Sequence, residues 1–228
     1  MKVTALLPMK GNSERVKGKN FKSFKGKPLF RWVLDNLLAV DEIDKVIINT
    51  DAKKLLEQKG LPNNNKIQIR DRRKEIQGDL VSMNIIIEDD LNNIESDIYL
   101  MTHTTNPLLS KETLTNAIKL FKEHLLQEEY DSLFSVNRIQ TRFYDHKGHP
   151  INHNPKELLR TQDLEPWYEE NSNLYLFTKE SFRKTKARIG LRPYMLVTPL
   201  LESTDIDTPE DWDLAETLVT HYEQKGLI

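Results

Sequence analysis

The chain has 228 residues, with 33 Lys and Arg against 35 Asp and Glu, a formal net charge of −2 and no cysteine. That balance argues against a general polyanion binder such as a nucleic-acid protein, and the missing thiols exclude disulfides, thiolate metal sites and cysteine nucleophiles. No apolar run approaches the roughly 18 residues needed to cross a bilayer, and the opening segment 1–8 is too short for a secretory signal, so a cytoplasmic protein is expected.

The length suits one α/β domain over residues 1–228. Residues 3–7 read as a buried strand and 28–40 as an amphipathic helix with Pro28 in its first turn. A β-branched strand follows at 45–49, then a short helix at 52–59 closed by Gly60. A third strand is expected at 66–69, a helix at 80–92, and a central strand at 97–101 that ends in the loop 102–107. Ser110 is placed to N-cap a helix reaching about Gln127, and 132–136 is another strand. This rhythm predicts a mostly parallel sheet with helices on both faces. It lapses over 138–170, a stretch with Gly148, Pro150, Pro155 and Pro166, which reads as an inserted arm or lid. Strands at 173–178 and 194–198 and a helix at 209–224 complete the chain.

Segment 8–28 carries the most information. It leaves the first strand and holds Lys10, Arg15, Lys17, Lys19, Lys22, Lys25 and Lys27 against one acid, Glu14, with Gly11, Gly18 and Gly26 among them. Such a loop is either a solvated basic surface or a phosphate cradle, in which glycines admit backbone N–H groups and cations neutralise charge. Near the other end, Asp205 and Asp207 alternate across Ile206, so an extended backbone aims both carboxylates the same way. They suit Mg²⁺, a hard cation that takes oxygen ligands; the competing reading is that they only cap the last helix ahead of Pro209. Arg72 with Gly78-Asp79-Leu80-Val81-Ser82 is either a nucleobase reader or a charged turn. His103-Thr104-Thr105-Asn106-Pro107, at a strand end, either contacts substrate or satisfies its own turn. His146, His149 and His153 lack the helical spacing of a zinc site, and neither the dinucleotide nor the Walker phosphate motif is present.

Together these segments resemble the CMP-sialic acid synthetases, the acylneuraminate cytidylyltransferases, along nearly the whole chain. The family loop runs roughly Pro-Ala-Arg-x-x-Ser-Lys-Gly-x-x-x-Lys-Asn and later Gly-Lys-Pro-Leu. Pro8, Ser13, Lys19, Asn20 and Gly26-Lys27-Pro28-Leu29 match it, Lys10 replaces the arginine, and Glu14-Arg15 replaces Lys-Gly. Asp205-Ile206-Asp207-Thr208 matches the metal-binding Asp-Ile-Asp-Thr, and Asn171-Ser172-Asn173-Leu174-Tyr175 resembles the Asn-Gly-Ala-Ile-Tyr strand. In the family's Gln-Pro-Thr-Ser-Pro-Leu-Arg, the glutamine has become His103 and the arginine Leu109.

The resemblance implies a Rossmann-like nucleotidyltransferase domain and transfer of CMP from CTP to an acidic sugar, with Mg²⁺ on Asp205 and Asp207. It implies that Lys10, Gly11, Asn12, Ser13, Arg15, Lys19 and Asn20 bind the triphosphate, with Lys19, Asn20 and Asp207 at the reacting centre, and that Arg72 and Ser82 read cytosine. It places His103, Thr104, Thr105, Asn106 and Asn171 at the sugar. It also makes 138–170 a homodimer arm, on which Arg160 and Gln162 reach the substrate carboxylate. The acceptor stays open among sialic-, legionaminic- and pseudaminic-type acids or another acid. A nucleotide-binding module without catalysis is the reading from a different class.

Overall fold

Apolar strands buried on both faces must pair side by side and be roofed by helices. The computed structural model describes residues 1–226 and has that architecture. In chain order the elements are β1 (Val3–Leu6), a hairpin of β2 (Ser23–Phe24) and β3 (Lys27–Pro28), α1 (Leu29–Ala39), β4 (Lys45–Thr50), α2 (Lys53–Gln58), β5 (Ile67–Asp71), α3 (Met83–Asn93), β6 (Ile98–Thr102), α4 (Lys111–Leu126), β7 (Ser132–Ile139), β8 (Trp167–Phe177), α5 (Lys179–Thr185), β9 (Pro193–Val197) and α6 (Pro209–Gln224). The sheet order is β5-β4-β1-β6-β8-β7-β9. Among the described residues, β8 alone runs against the other strands of this sheet, pairing antiparallel with both β6 and β7.

The two-residue period of the strands sorts the core into two layers. Val3 and Ala5 of β1, Val46 and Ile48 of β4, and Ile98 and Leu100 of β6 face one way, against Phe30, Val33, Leu34 and Leu37 of α1 and Leu114, Ile118 and Phe121 of α4. Leu6, Ile47, Tyr99 and Met101 face the other way, against Ile87 and Leu91 of α3 and Phe182 of α5. A third cluster lies at the rim: Val16, Phe24 and Leu29 pack with Ile206 and with Trp212, Ala215 and Val219 of α6. Phe24 meets the Trp212 ring edge-on at 5.2 Å, and the Lys22 ammonium sits 4.1 Å above that ring. This cluster ties the end of the chain to the cationic loop near its start.

The expected elements form, with three differences. Strands β7 and β8 run on into the supposed lapse as an antiparallel ribbon, with Val136 opposite Glu170 and Ile139 opposite Trp167. The ribbon mixes Val136, Ile139, Trp167 and Tyr168 with Asn137, Arg138, Glu169 and Glu170, so it gave no continuous apolar run to read. Helix α5 was not expected because it is short and buries little beyond Ser181 and Phe182; a reciprocal Thr178–Ser181 capping box starts it. The β2–β3 hairpin turns through Lys25 and Gly26, both at positive φ (47° and 88°), as a tight two-residue turn demands. Ser110 and Thr208 are N-caps, accepting from the backbone of Thr113 and Asp211. Among the described residues, no helix is long and apolar enough to cross a membrane.

Ile206 is fully buried at the centre of the rim cluster. Ile206→Ala should cost ~2–4 kcal/mol in urea denaturation, the usual range for a truncated core aliphatic; a loss below about 1 kcal/mol would mean that the site collapses freely and clamps nothing.

Candidate functional site

In an open parallel sheet, ligands gather beyond the carboxyl ends of the strands. A cleft of about 390 Å³ opens there, lined by the first loop from Pro8 to Asn20, by Arg72, by Gly78, Asp79, Val81, Met83 and Ile86, by His103, Thr104 and Thr105, and by Asp207. Five separate stretches of chain therefore converge on one space.

The cationic loop meets the acid segment across this cleft. Lys19 is buried, and its ammonium reaches the Ile206 carbonyl at 2.5 Å and Asp207 Oδ1 at 3.1 Å. Arg15 Nη2 lies 3.0 Å from Asp207 Oδ2, so each oxygen of Asp207 has a cation. The acid segment is pinned by the Ile206 amide, which donates to the Thr105 carbonyl at 2.9 Å. Asp205 sits deeper. Burial raises its pKa, opposed by a hydrogen bond from Thr105, and its Oδ1 is buried without a partner among the described residues. An orphaned carboxylate oxygen beside a second carboxylate is a coherent start for a divalent cation.

The loop's shape is fixed locally. Asn20 Nδ2 donates to the Lys10 carbonyl at 2.8 Å, and Asn20 Oδ1 accepts from the Thr104 hydroxyl at 2.7 Å. The Gly11 amide donates to Asp51 Oδ1 at 2.6 Å, and a Cβ at Gly11 would lie 2.6 Å from that of Ala52. Glycine is thus required by proximity. Lys10 pairs with Asp79 on the opposite rim, which holds the Asp79 carboxyl below its ordinary range.

Arg72 enters from the end of β5 and is buried. Its Nε donates to Asn49 Oδ1 at 2.9 Å, and Nη2 to the Met9 and Asn49 carbonyls at 3.1 and 2.8 Å. Among the described residues Nη1 makes no such bond, so the guanidinium is rigid with one edge free. Asn49 is in turn fixed by Asp90 at 2.7 Å, which also binds Arg70 at 2.9 Å. Burial is the main cause raising Asp90 to about 6, against the favourable Asn49 and Arg70 contacts. His103 is pushed down to about 4 by desolvation first, then by Arg188 and Lys19.

The expected site residues separate into two groups. Lys10, Ser13, Arg15, Lys19, Asn20, Arg72, His103, Thr104, Thr105 and Asp207 line the cleft. Gly11 and Asn12 shape the loop beside it, the Asn12 side chain accepting from the Ser13 amide at 3.0 Å. Ser82 N-caps α3 next to the lining residues Val81 and Met83. Asn106 is fully buried, with both side-chain polar atoms unpartnered among the described residues. Asn171 lies outside the lining, its amide committed to Asn137 at 3.0 Å and Thr198 at 2.8 Å. Arg160, paired with Asp163, and Gln162 stand out on the arm. His149 bonds Asp145 and His153 bonds Tyr144, and no metal-holding group of three or more His, Cys, Asp or Glu exists among the described residues.

Sequence reasoning missed Asn49 and Asp90 behind Arg72 and Arg188 beside His103, and read Asp79 only as part of the turn after Arg72. Asn49 and Asp90 lie within elements read only for their periodicity, and nothing in the sequence around Arg188 marks it.

A family model described as cytidylyltransferase matches residues 4–227. The N-acylneuraminate cytidylyltransferase A of Danio rerio is 28% identical over 98% of this chain and 52% of its own length, so the chain spans about half of that relative. The pseudaminic acid cytidylyltransferase of Campylobacter jejuni is 25% identical over 96% of each. The solved structure of CMP:2-keto-3-deoxy-manno-octonic acid synthetase complexed with CTP superposes with a TM-score of 0.67 at 14% identity, covering 97% of this chain and 99% of that one. That likeness supports the fold.

Asp90 gives the site a measurable pH signature. With its folded pKa raised to about 6, folding takes up a proton between the unfolded value and that point, so its contribution to stability is lost as pH rises through this window. Asp90→Asn should flatten that decline in urea titrations from pH 4 to pH 7; superimposable profiles would mean that Asp90 is already ionised in the folded protein.

Proposed function

This chain belongs to the cytidylyltransferase family, and from that premise we propose that it transfers CMP from CTP to a hydroxyl of an acidic sugar of the nonulosonate class, releasing pyrophosphate. The observation that carries this reading is the meeting of Lys19 and Arg15 with Asp207 across one cleft. In that reading the sugar hydroxyl oxygen attacks the α-phosphorus, the bond to the bridging oxygen breaks, and the hydroxyl gives up its proton as the new ester forms. Such chemistry needs positioning and charge neutralisation more than covalent participation.

The residues divide accordingly. Lys10, Arg15 and Lys19 neutralise the triphosphate, and Ser13 with the loop amides lines its path. Asn20, whose amide is already spent on Lys10 and Thr104, keeps the cradle in shape. Arg72, braced on three oxygens, turns its free edge to the base, with Ser82 nearby at the head of α3. His103, Thr104 and Thr105 face the acceptor. Glu14 in place of the family's lysine is offset by Arg15, which faces Asp207.

The donor set fits Mg²⁺, which takes one or two carboxylates and completes its shell with phosphate and water. Asp205, with its orphaned oxygen, and Asp207 would hold it. Bound there, the ion would neutralise charge on the phosphoryl oxygens. We further read the protein as a cytoplasmic homodimer. The ribbon and arm expose Tyr144, Ile151, Leu158, Trp167 and Tyr168, an apolar surface suited to a symmetric contact that would bring Arg160 and Gln162 toward a neighbouring cleft.

Pyrophosphate release should be measured with four nucleoside triphosphates crossed against N-acetylneuraminic, pseudaminic and legionaminic acids. CTP with one of these acids is expected to support turnover, which chelation abolishes and Mg²⁺ restores. Asp207→Ala should lower the rate by about 100-fold or more, the scale of a lost electrostatic group at a reacting centre. Calorimetric CTP binding without turnover on any acid would replace this reading with a non-catalytic nucleotide-binding module.

A further inference from the structure

Arg188 belongs to no motif and does not line the cleft, yet it touches a residue that does. Helix α5 ends at Lys186, which adopts a left-handed conformation (φ 57°) and turns the chain back toward the sheet. Ile189 then packs against the core layer containing Tyr175 and Met101. Between these anchors, the Arg188 guanidinium lies over the Tyr175 ring, 3.8 Å from its centroid. Its Nη2 is 3.3 Å from Glu170 Oε1, the same oxygen that accepts from the Tyr175 hydroxyl. Stacking and the carboxylate leave the fork little freedom. Its Nη1 lies 3.4 Å from Nε2 of His103.

We propose that Arg188 is a positioning residue for acceptor recognition, holding the His103 ring in the Nδ1–H tautomer at the acceptor end of the cleft. The argument is one of valence. A guanidinium nitrogen can only donate, so Nε2 must offer its lone pair, and a neutral imidazole has one such nitrogen. The proton therefore resides on Nδ1. The ring is neutral near pH 7, because desolvation and the charges of Arg188 and Lys19 outweigh Asp207. His103 consequently presents a donor of fixed identity, suited to an oxygen of the acceptor. With the other tautomer, an N–H would point into the guanidinium. The identity of the acceptor end rests on the reading given under Proposed function; the tautomer does not.

Two measurements test this. In ¹⁵N-labelled protein without ligand, two-bond proton–nitrogen correlations of the His103 ring, identified by their loss in His103→Gln, should report a protonated Nδ1 and a bare Nε2. Arg188→Met should give a mixture or the Nε2–H form. For whichever of the three acids turns over, Arg188→Met should raise its KM by about tenfold, equivalent to about 1.4 kcal/mol, while KM for CTP stays put. In the His103→Gln background, the same change should move the acid KM by less than about twofold, since contacting residues couple and independent ones add. An Nε2–H ring in the unmodified protein would overturn the proposal, as would an undiminished KM effect with glutamine at 103. If no acid turns over, the functional reading fails and the ring spectra still decide the tautomer.

Discussion

Everything at the cleft depends on how Ile206 is buried. This side chain sits among Val16, Phe24 and Trp212, so the last loop is pulled against the first by apolar packing. The acids on either side of it then have no choice of location. Asp207 emerges beside Lys19 and Arg15, and Asp205 turns inward to a pocket that leaves one oxygen without a partner among the described residues. The hydrophobic contact supplies the affinity between the two ends of the chain, and the charges meet across the cleft. Exposed ion pairs alone hold protein segments together only weakly.

The charges around the cleft are paired with one another. Lys10 faces Asp79, Arg15 and Lys19 share Asp207, and Arg70 and Arg73 are matched by Asp89 and Asp90. A loop crowded with cations thus avoids self-repulsion before any polyanion arrives. A phosphate entering the cleft would compete with these carboxylates. The competition is least costly at Asp79 and Asp207, whose side chains are half exposed, and most costly behind Arg72, where Asn49 and Asp90 are buried. The rim pairs are therefore exchangeable, whereas the corner around Arg72 is rigid.

The layering of this fold was legible because burial on both faces leaves a mark: the strands at 45–50 and 98–102 carry the apolar runs 46–48 and 98–101, and the helix at 209–224 is framed by Thr208 and Pro209. The ribbon from Val136 to Ile139 and from Trp167 to Glu170 was not legible, since its apolar and polar residues form neither a continuous apolar run nor a strict alternation. At the site, residues in dense local patterns could be found, Lys19 and Asp207 above all. Asn49 and Arg188 could not, because their importance lies in what they touch 23 and 85 positions away. Asn171 shows the opposite failure: a motif match identified the residue, but in three dimensions its amide braces β7 and the end of β9 instead of facing the cleft.

The reversal of β8 carries an evolutionary consequence. Since β8 runs backward in its sheet, the connection from β7 departs and returns on the border where the cleft opens. Residues can be added to or removed from that excursion without shifting the pairing of any neighbouring strand. A lineage could thereby remodel that border of the cleft while the first loop and the Arg72 corner stay untouched.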